Sequence, residues 1–325
     1  MPEERAPYVS VFVPTYNGGP LFDRVLEGIF SQRTDFEFEV IAIDSGSKDE
    51  TLETLGRYPV RVTKIPNAEF NHGLTRNHGA KLARGEILIF TVQDAVPHGV
   101  DWMQTFVSSF EDPQVAGAYC HQIPHANCGP FLRHRLKDWV RGEGAVEVKQ
   151  VPSPMDFWLL PSLQRWRTIA FDNVCSAVRT KLIPELPFVR RQFGEDITWA
   201  KSAILAGHKV VMDPRCAVEH SHNNSIWYEF RRAYLDHQNI HNLTGLQLAP
   251  NLHRVMEYTG DLASNLYRAL WEDRELNTAT KLWWTAKIPA FAFSQNLSQM
   301  LGPMSDRAKK RGFWSAYDRI MRRRI

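Results

Sequence analysis

Residues 86–92 read Glu86-Ile87-Leu88-Ile89-Phe90-Thr91-Val92, and Gln93-Asp94-Ala95 follows at once. An almost unbroken apolar run of strand length suits a strand buried on both faces of a parallel sheet. The same reading recurs upstream. Tyr8–Pro14 (YVSVFVP), Phe38–Asp44 (FEVIAID) and Val60–Ile65 are β-branched and apolar, with stretches of helical length at about 20–33, 48–57 and 73–84. This alternation predicts an α/β layer fold with a mostly parallel sheet flanked by helices. Residues 100–225 are more irregular and rich in Pro, His and Trp. They hold strand candidates at Val115–Cys120, Phe171–Val178 and Lys209–Met212, and a helix at about 196–206. Ile226, Phe230 and Tyr234 then recur at i, i+4 and i+8. The expected division is an α/β domain over 1–225 and a helical C-terminal extension over 226–325.

Composition excludes several classes. The chain has 325 residues, 43% hydrophobic and 23% charged, which is ordinary globular usage and rules out wholesale disorder. The formal net charge is +3, too weak an excess to argue for nucleic acid. Residues 1–10 lack the basic and apolar regions of a secretory signal, and the longest uncharged run, Ile288–Ser305, is too polar to span a bilayer. Cys120, Cys128, Cys175 and Cys216 form no CxxC pair and read as reduced thiols of a cytoplasmic protein. Charge is uneven along the chain. Pro303–Ile325 holds eight basic residues against Asp306 and Asp318, interleaved with Phe313, Trp314, Tyr317, Ile320 and Met321. That pattern is expected to form a basic amphipathic helix able to touch an anionic inner leaflet.

In parallel α/β sheets, ligands gather at the C-terminal strand ends. Three such ends are polar: Pro14-Thr15-Tyr16-Asn17-Gly18-Gly19, Asp44-Ser45-Gly46-Ser47-Lys48-Asp49 and Gln93-Asp94-Ala95. Asp44 suits either a capped βα loop or a hydrogen bond from a nucleobase or ribose. Arg76 falls in the first turn of a helix opened by Asn71-His72-Gly73, where the macrodipole opposes a cation, so it calls for a phosphate or an acidic neighbour. Asp94, just past a buried strand, suits either a loop cap or a ligand of a hard cation such as Mg²⁺ or Mn²⁺. Gly194-Glu195-Asp196 opens another helix, where Asp196 suits either a first-turn acid favoured by the helix dipole or a general base, fixed, ionised and at a cleft rim. His220 and His222 follow a further strand, and such a pair serves as metal ligands, as phosphate contacts or only structurally.

The order of these motifs is more telling than any one of them. The series Pro14-Thr15-Tyr16-Asn17, Asp44-x-Gly46-Ser47-x-Asp49-x-Thr51, Arg76-Asn77-x-Gly79-Ala80-x-x-Ala83-x-Gly85-Glu86, Gln93-Asp94-Ala95-x-Pro97 and Gly194-Glu195-Asp196 resembles the family 2 inverting glycosyltransferases with the GT-A fold, over about residues 8–225. Phe70-Asn71-His72-Gly73-x-Thr75-Arg76-Asn77, Gln93-Asp94-Ala95 and His220-Ser221-His222 look most like the bacterial rhamnosyltransferase branch, which uses dTDP-L-rhamnose to build surface polysaccharides. The resemblance implies that Pro14, Thr15, Tyr16, Asp44, Arg76, Gln93 and Asp94 bind the nucleotide-sugar. It implies a divalent cation at Asp94, completed by His220, and Asp196 as the base. Glu195 and His222 are the acceptor-side candidates. One departure stands out: the first Asp of the family's Asp-x-Asp signature falls on Val92, and Ala95 stands where a further Asp is common.

The implied reaction is a single displacement that inverts the sugar. A nucleotide diphosphate leaves with its charge stabilised, and Asp196 takes the proton of an acceptor hydroxyl. One base suffices, unlike the carboxylate pair of a hydrolase. A Rossmann dehydrogenase does not fit, since no GxGxxG follows the first strand. Nor does a nucleotidyltransferase, which needs a Gly-rich basic loop where Pro14-Thr15-Tyr16-Asn17 stands. The rivals are a family member using a UDP-hexose or UDP-HexNAc donor, and a non-catalytic nucleotide-diphosphate-binding scaffold. The expected partners are a nucleotide-sugar and a saccharide or lipid-linked acceptor shaped by residues 121–170 and the helical extension.

Overall fold

The computed structural model describes residues 6–139, 145–308 and 311–323. The chain divides into two compact units. The first comprises Met1–His125, Trp139–Leu160 and Arg167–Ser221; the second comprises Ala126–Asp138, Pro161–Trp166 and His222–Ile325.

The first unit holds the sheet. Its strands are β1 (Val9–Thr15), β2 (Phe38–Asp44), β3 (Val60–Lys64), β4 (Ile87–Thr91), β5 (Val96–Pro97), β6 (Val115–Ile123), β7 (Glu147–Lys149), β8 (Cys175–Arg179) and β9 (Lys209–Glu219). The order is β3-β2-β1-β4-β8-β6-β9-β5, and β7 also pairs with β9. The half formed by β3, β2, β1 and β4 is parallel. Beyond it the sheet is mixed, because β8 runs antiparallel to both β4 and β6, while β6 and β9 are parallel. That reversal positions the site. Cys175, where β8 begins, pairs with Thr91, where β4 ends, so the residues before β8 join the C-terminal edge of the parallel strands.

Strand β9 extends well past the expected Met212. Its ladder with β6 shifts register between Cys120 and His121, so that Asp213 and Ala217 oppose successive residues. Pro214, which has no N–H to donate, falls inside this bulge. The strand therefore resumes and carries its end to His220.

The helices up to residue 205 are α1 (Gly19–Phe30), α2 (Thr51–Gly56), α3 (His72–Leu82), α4 (Trp102–Ser108), α5 (Pro130–Trp139), α6 (Pro154–Leu159), α7 (Ser162–Ile169) and α8 (Glu195–Leu205), of which α5 and α7 belong mostly to the second unit and the others to the first. Period-2 alternation sorts the two faces of the sheet. Val9, Val11, Val13, Ile87 and Ile89 pack with Phe22, Leu26 and Ile29 of α1 and with Trp102 and Phe106 of α4. Phe12 and Phe90 point the other way and meet edge to face at 5.9 Å; Phe90 meets Phe188 at 5.4 Å, and Phe188 stacks on Trp199 of α8. Both faces are covered, which is why residues 86–92 are apolar almost throughout.

The second unit carries α9 (Ile226–Thr244), α10 (Leu252–Glu272), α11 (Thr278–Thr285), α12 (Ile288–Arg307) and α13 (Phe313–Met321). Phe131, Leu266, Leu270, Ile288 and Phe291 form its core. The backbones of α9 and α12 approach closely: a Cβ on Gly302 would stand 2.6 Å from the Tyr234 carbonyl oxygen. Among the described residues, no helix is long and apolar enough to cross a membrane. The basic C-terminal stretch corrects one expectation. It is not a single helix, since Pro303–Arg307 completes α12, Gly312 breaks the chain at φ +55°, and α13 follows. Asp318 of α13 accepts from Gln238 of α9 at 2.9 Å, and Arg231 of α9 donates to the Met321 carbonyl at 2.9 Å. Lys309, Lys310 and Arg324 lie outside the described residues. All four cysteines are free and buried.

Helix α3 reaches the sheet only because Gly79 has no side chain. A Cβ there would lie 2.4 Å from the Phe12 ring, which is wedged in the core. Gly79→Ala is expected to destabilise the protein by about 1–3 kcal/mol through overpacking, despite the better helix propensity of Ala. A urea unfolding curve measures this; an unchanged midpoint contradicts the tight α3–β1 contact.

Candidate active site

The first two βα loops are laced together. Thr15 Oγ1 donates to Asp44 Oδ2 at 3.0 Å, and the N–H groups of Gly46 and Ser47 donate to Asp44 Oδ1, each at 3.0 Å. Asp44 is fully buried, and its carboxylate shapes the turn around Gly46 (φ +92°). The N–H of Asn17 donates to Ser47 Oγ, and the N–H of Lys48 donates to Asn17 Oδ1. Asn17 takes φ +50°, a left-handed conformation that Asn tolerates better than most residues. Pro14 is half-buried within β1, two residues from Tyr16.

Tyr16 is 44% exposed, with its backbone gripped from one side. Its N–H donates to Gln93 Oε1 at 2.8 Å, and Gln93 Nε2 donates to its carbonyl at 3.0 Å. The adjacent Asp94 faces His220: Asp94 Oδ1 and His220 Nε2 stand 3.7 Å apart. A carboxylate oxygen beside an imidazole nitrogen is a donor set for a divalent cation, and the imidazole favours Mn²⁺ over Mg²⁺. The other ring nitrogen of His220, Nδ1, lies 2.9 Å from Gln122 Oε1. His222, two residues further along the chain, is exposed and opens the last segment of the second unit.

Arg76 and Glu195 form a buried ion pair at 2.9 Å, with 4% and 8% of their side chains exposed. Arg76 also donates to the carbonyls of Asn173 (3.1 Å) and His72 (3.2 Å). Of the two partners expected for Arg76, the structure shows the acidic neighbour. Glu195 and Asp196 open α8, where carboxylates suit the positive end of the helix. Asp196 Oδ2 accepts from the Asn173 N–H at 3.4 Å. Its carboxyl is pushed well above the usual range, first by burial, then by Glu195 and Asp172; the Ile197 N–H and Arg76 pull the other way. The base position is thus less ready to ionise than a carboxylate at a cleft rim.

Nearly all the expected residues of the first unit therefore share one sheet edge. Sequence reasoning passed over Gln122, Asp172 and Asn173, which link them. Gln122 Nε2 donates to Asp172 Oδ2, and Asp172 Oδ1 accepts from the Val174 N–H at 2.8 Å. Their one signal was position, at the end of one strand candidate and within another.

Comparisons with known proteins show the family and the fold. The family described as Glycosyl transferase family 2 matches residues 10–182. An O-antigen chain rhamnosyltransferase, RfbN, of Salmonella typhimurium is 31% identical over 230 residues, 70% of this chain and 70% of that protein. A second, WbaN of Salmonella anatum, is 28% identical over 231 residues, again 70% of each. Among solved structures, the mannosyltransferase PcManGT from Pyrobaculum calidifontis, in complex with GDP-Man and Mn²⁺, superposes with a TM-score of 0.58 at 19% identity, covering 94% of this chain and 89% of that one. Glucosyl-3-phosphoglycerate synthase from Mycobacterium tuberculosis, with Mn²⁺, UDP-Glc and phosphoglyceric acid, gives 0.52 at 17% identity, covering 74% and 80%. These two share the fold.

Breaking the buried pair leaves an uncompensated charge. Arg76→Met is expected to cost about 3–5 kcal/mol, and Arg76→Met with Glu195→Leu to recover most of it. Denaturant melts of the three proteins measure this. A double variant no more stable than Arg76→Met shows that the pair does not carry the cost.

Proposed function

We propose that this chain, which belongs to glycosyl transferase family 2 and is a glycosyltransferase, moves L-rhamnose from dTDP-L-rhamnose to a hydroxyl of a saccharide or lipid-linked saccharide in surface polysaccharide synthesis. The observation that carries the donor is the match to two O-antigen chain rhamnosyltransferases over 70% of the chain. The convergence of Asp94, His220 and Asp196 on one sheet edge supports transfer over a non-catalytic scaffold.

Each residue then has a task. Tyr16 offers its exposed ring to the nucleobase, with Gln93 holding the backbone beneath it. Pro14, Thr15 and Asp44 shape the loop that receives the nucleoside. Asp94 and His220 hold the divalent cation, with His222 near along the chain; bound there, the cation supplies positive charge against the leaving diphosphate. Arg76 acts through Glu195, fixing the first turn of α8. Asp196 removes the proton of the acceptor hydroxyl as that oxygen attacks the anomeric carbon from the face opposite the diphosphate, which inverts the centre.

The second unit carries a candidate saccharide-binding cavity of its own on this reading. His222, Arg133, Arg135, Trp284 and Lys287 line a cavity of about 600 Å³ within it. Cationic and aromatic walls suit a saccharide carried on a phosphate-linked lipid. Exposed Phe313, Arg319 and Ile320 of α13 and exposed Arg311 beside it support a contact with the cytoplasmic leaflet.

Thermal-shift measurements test the donor: dTDP-L-rhamnose with Mn²⁺ should stabilise the protein more than UDP- or GDP-sugars do. A larger UDP-sugar shift favours the hexosyl reading instead. Asp196→Asn should keep that shift and lose turnover by about 10²–10⁴-fold. Wild-type turnover should fall on acidification through an apparent pKa above the ordinary carboxylate value of 3.8, because only the ionised form accepts a proton. A pH-independent rate over that range removes Asp196 from the role.

Flotation with anionic liposomes tests the leaflet contact. Phe313→Glu with Ile320→Glu changes two exposed positions and leaves the α9–α13 packing alone. The wild type should float and the double variant should not. Equal flotation, or none by either protein, excludes contact through α13.

A further inference from the structure

Four side chains of the first unit form a line whose chemistry, with Asp172 ionised and the His220 ring neutral, permits one orientation at each link. Asp172 Oδ1 accepts from the Val174 N–H at 2.8 Å, and its Oδ2 accepts from Gln122 Nε2. An ionised carboxylate only accepts hydrogen bonds. The Gln122 amide must therefore turn its NH₂ toward Asp172 and its carbonyl toward the opposite side. On that side stands His220 Nδ1, 2.9 Å from Oε1. A carbonyl oxygen cannot donate, so Nδ1 must carry a proton. A neutral imidazole carries one proton only, and Nε2 is then the ring's acceptor. Nε2 faces Asp94 Oδ1 at 3.7 Å.

We propose that Gln122, gripped by Asp172, is a positioning residue that sets His220 as the Nδ1–H tautomer and aims Nε2 at Asp94, so that the cation pair is prepared before any cation arrives. This rests on the proposed role of Asp94 and His220 as the cation's holders. The strands make the device rigid. Gln122 is buried near the end of β6, and His220 follows β9, whose N–H donates to the Ile123 carbonyl at 2.9 Å. Asp172 precedes β8, which enters antiparallel between β4 and β6. The same segment reaches the base, since the Asn173 N–H next to Asp172 donates to Asp196 Oδ2. The cation pair and the base thus share the strand start at 172–174 as a common footing. With a single signature carboxylate at Asp94, the orientation of His220 carries more of the cation affinity than it would in a two-carboxylate site.

Two readouts test this on the full-length protein. The first is the ¹⁵N shift pattern of His220 without metal, above the pH at which its ring is neutral. The wild type should show a protonated Nδ1 and an unprotonated Nε2, and Gln122→Met should show the other tautomer or a mixture. The second is Mn²⁺ affinity, by electron paramagnetic resonance of free Mn²⁺. Gln122→Met should weaken it by about 10–100-fold, as expected for loss of an outer partner to a ligating histidine. Asp172→Asn, isosteric and remote from the ion, should weaken it in the same direction because an Asn side chain no longer dictates which way Gln122 turns. It also serves if Gln122→Met does not fold. Wild-type tautomer and affinity in either variant overturn the proposal. Absence of Mn²⁺ binding by the wild type sinks the cation reading instead, and the tautomer measurement still decides the role of Gln122.

Discussion

Arg76 brings a permanent positive charge into a place where almost none of its side chain meets water. The helix dipole opposes it there, at the start of α3. What makes the position tolerable is Glu195, together with two backbone carbonyls. The arrangement is mutual. Glu195, Asp196 and Asp172 bring three acidic groups to one region, and Arg76 is the cation ion-paired with one of them. The first residue of helix α8 is held by a residue 119 positions earlier. The Asp196 carboxylate takes its direction from that start.

The sheet provides the second constraint. A wholly parallel sheet would collect only strand ends on its C-terminal edge. The reversed β8 adds a strand beginning, and with it Asp172 and Asn173. The candidate site residues of the first unit gather where the two kinds of terminus meet. The two Mn²⁺-bearing structures that share its fold show that this framework accommodates nucleotide-sugars and a cation in other proteins.

How much of this could be read beforehand follows from what each signal reports. Strands β1, β2 and β4 were legible because burial on both faces leaves an apolar run, and β3, none of whose residues is buried, from its β-branched residues alone. Helix α9 was legible from its i, i+4, i+8 stripe. Among the described residues, strands β5 and β7, of two and three residues, pair only with the distant β9, and such pairing writes nothing local. The direction of β8 was likewise invisible, since its residues suit either orientation. Asp94, Asp196 and His220 stood out by their places after strands or at a helix start. Gln122 and Asp172 did not, because their meaning comes from contacts 98 and 50 residues away. Arg76 was recognised as needing a partner, and the choice between phosphate and acid lay in the packing of α3 against α8.

The grip of Gln93 on Tyr16 has one more consequence. Gln93 and Asp94 are consecutive, so the residue that steadies the exposed ring and the residue beside His220 share one peptide unit. Neither can drift without carrying the other. On the proposed function, a nucleobase sits at one end of this link and the diphosphate's cation at the other. The pair then works as a gauge of fixed span: a nucleotide of the wrong reach can satisfy one end only by losing the other. Selectivity for the length of the donor would then lie in a backbone joint, beyond the pocket that surrounds the base.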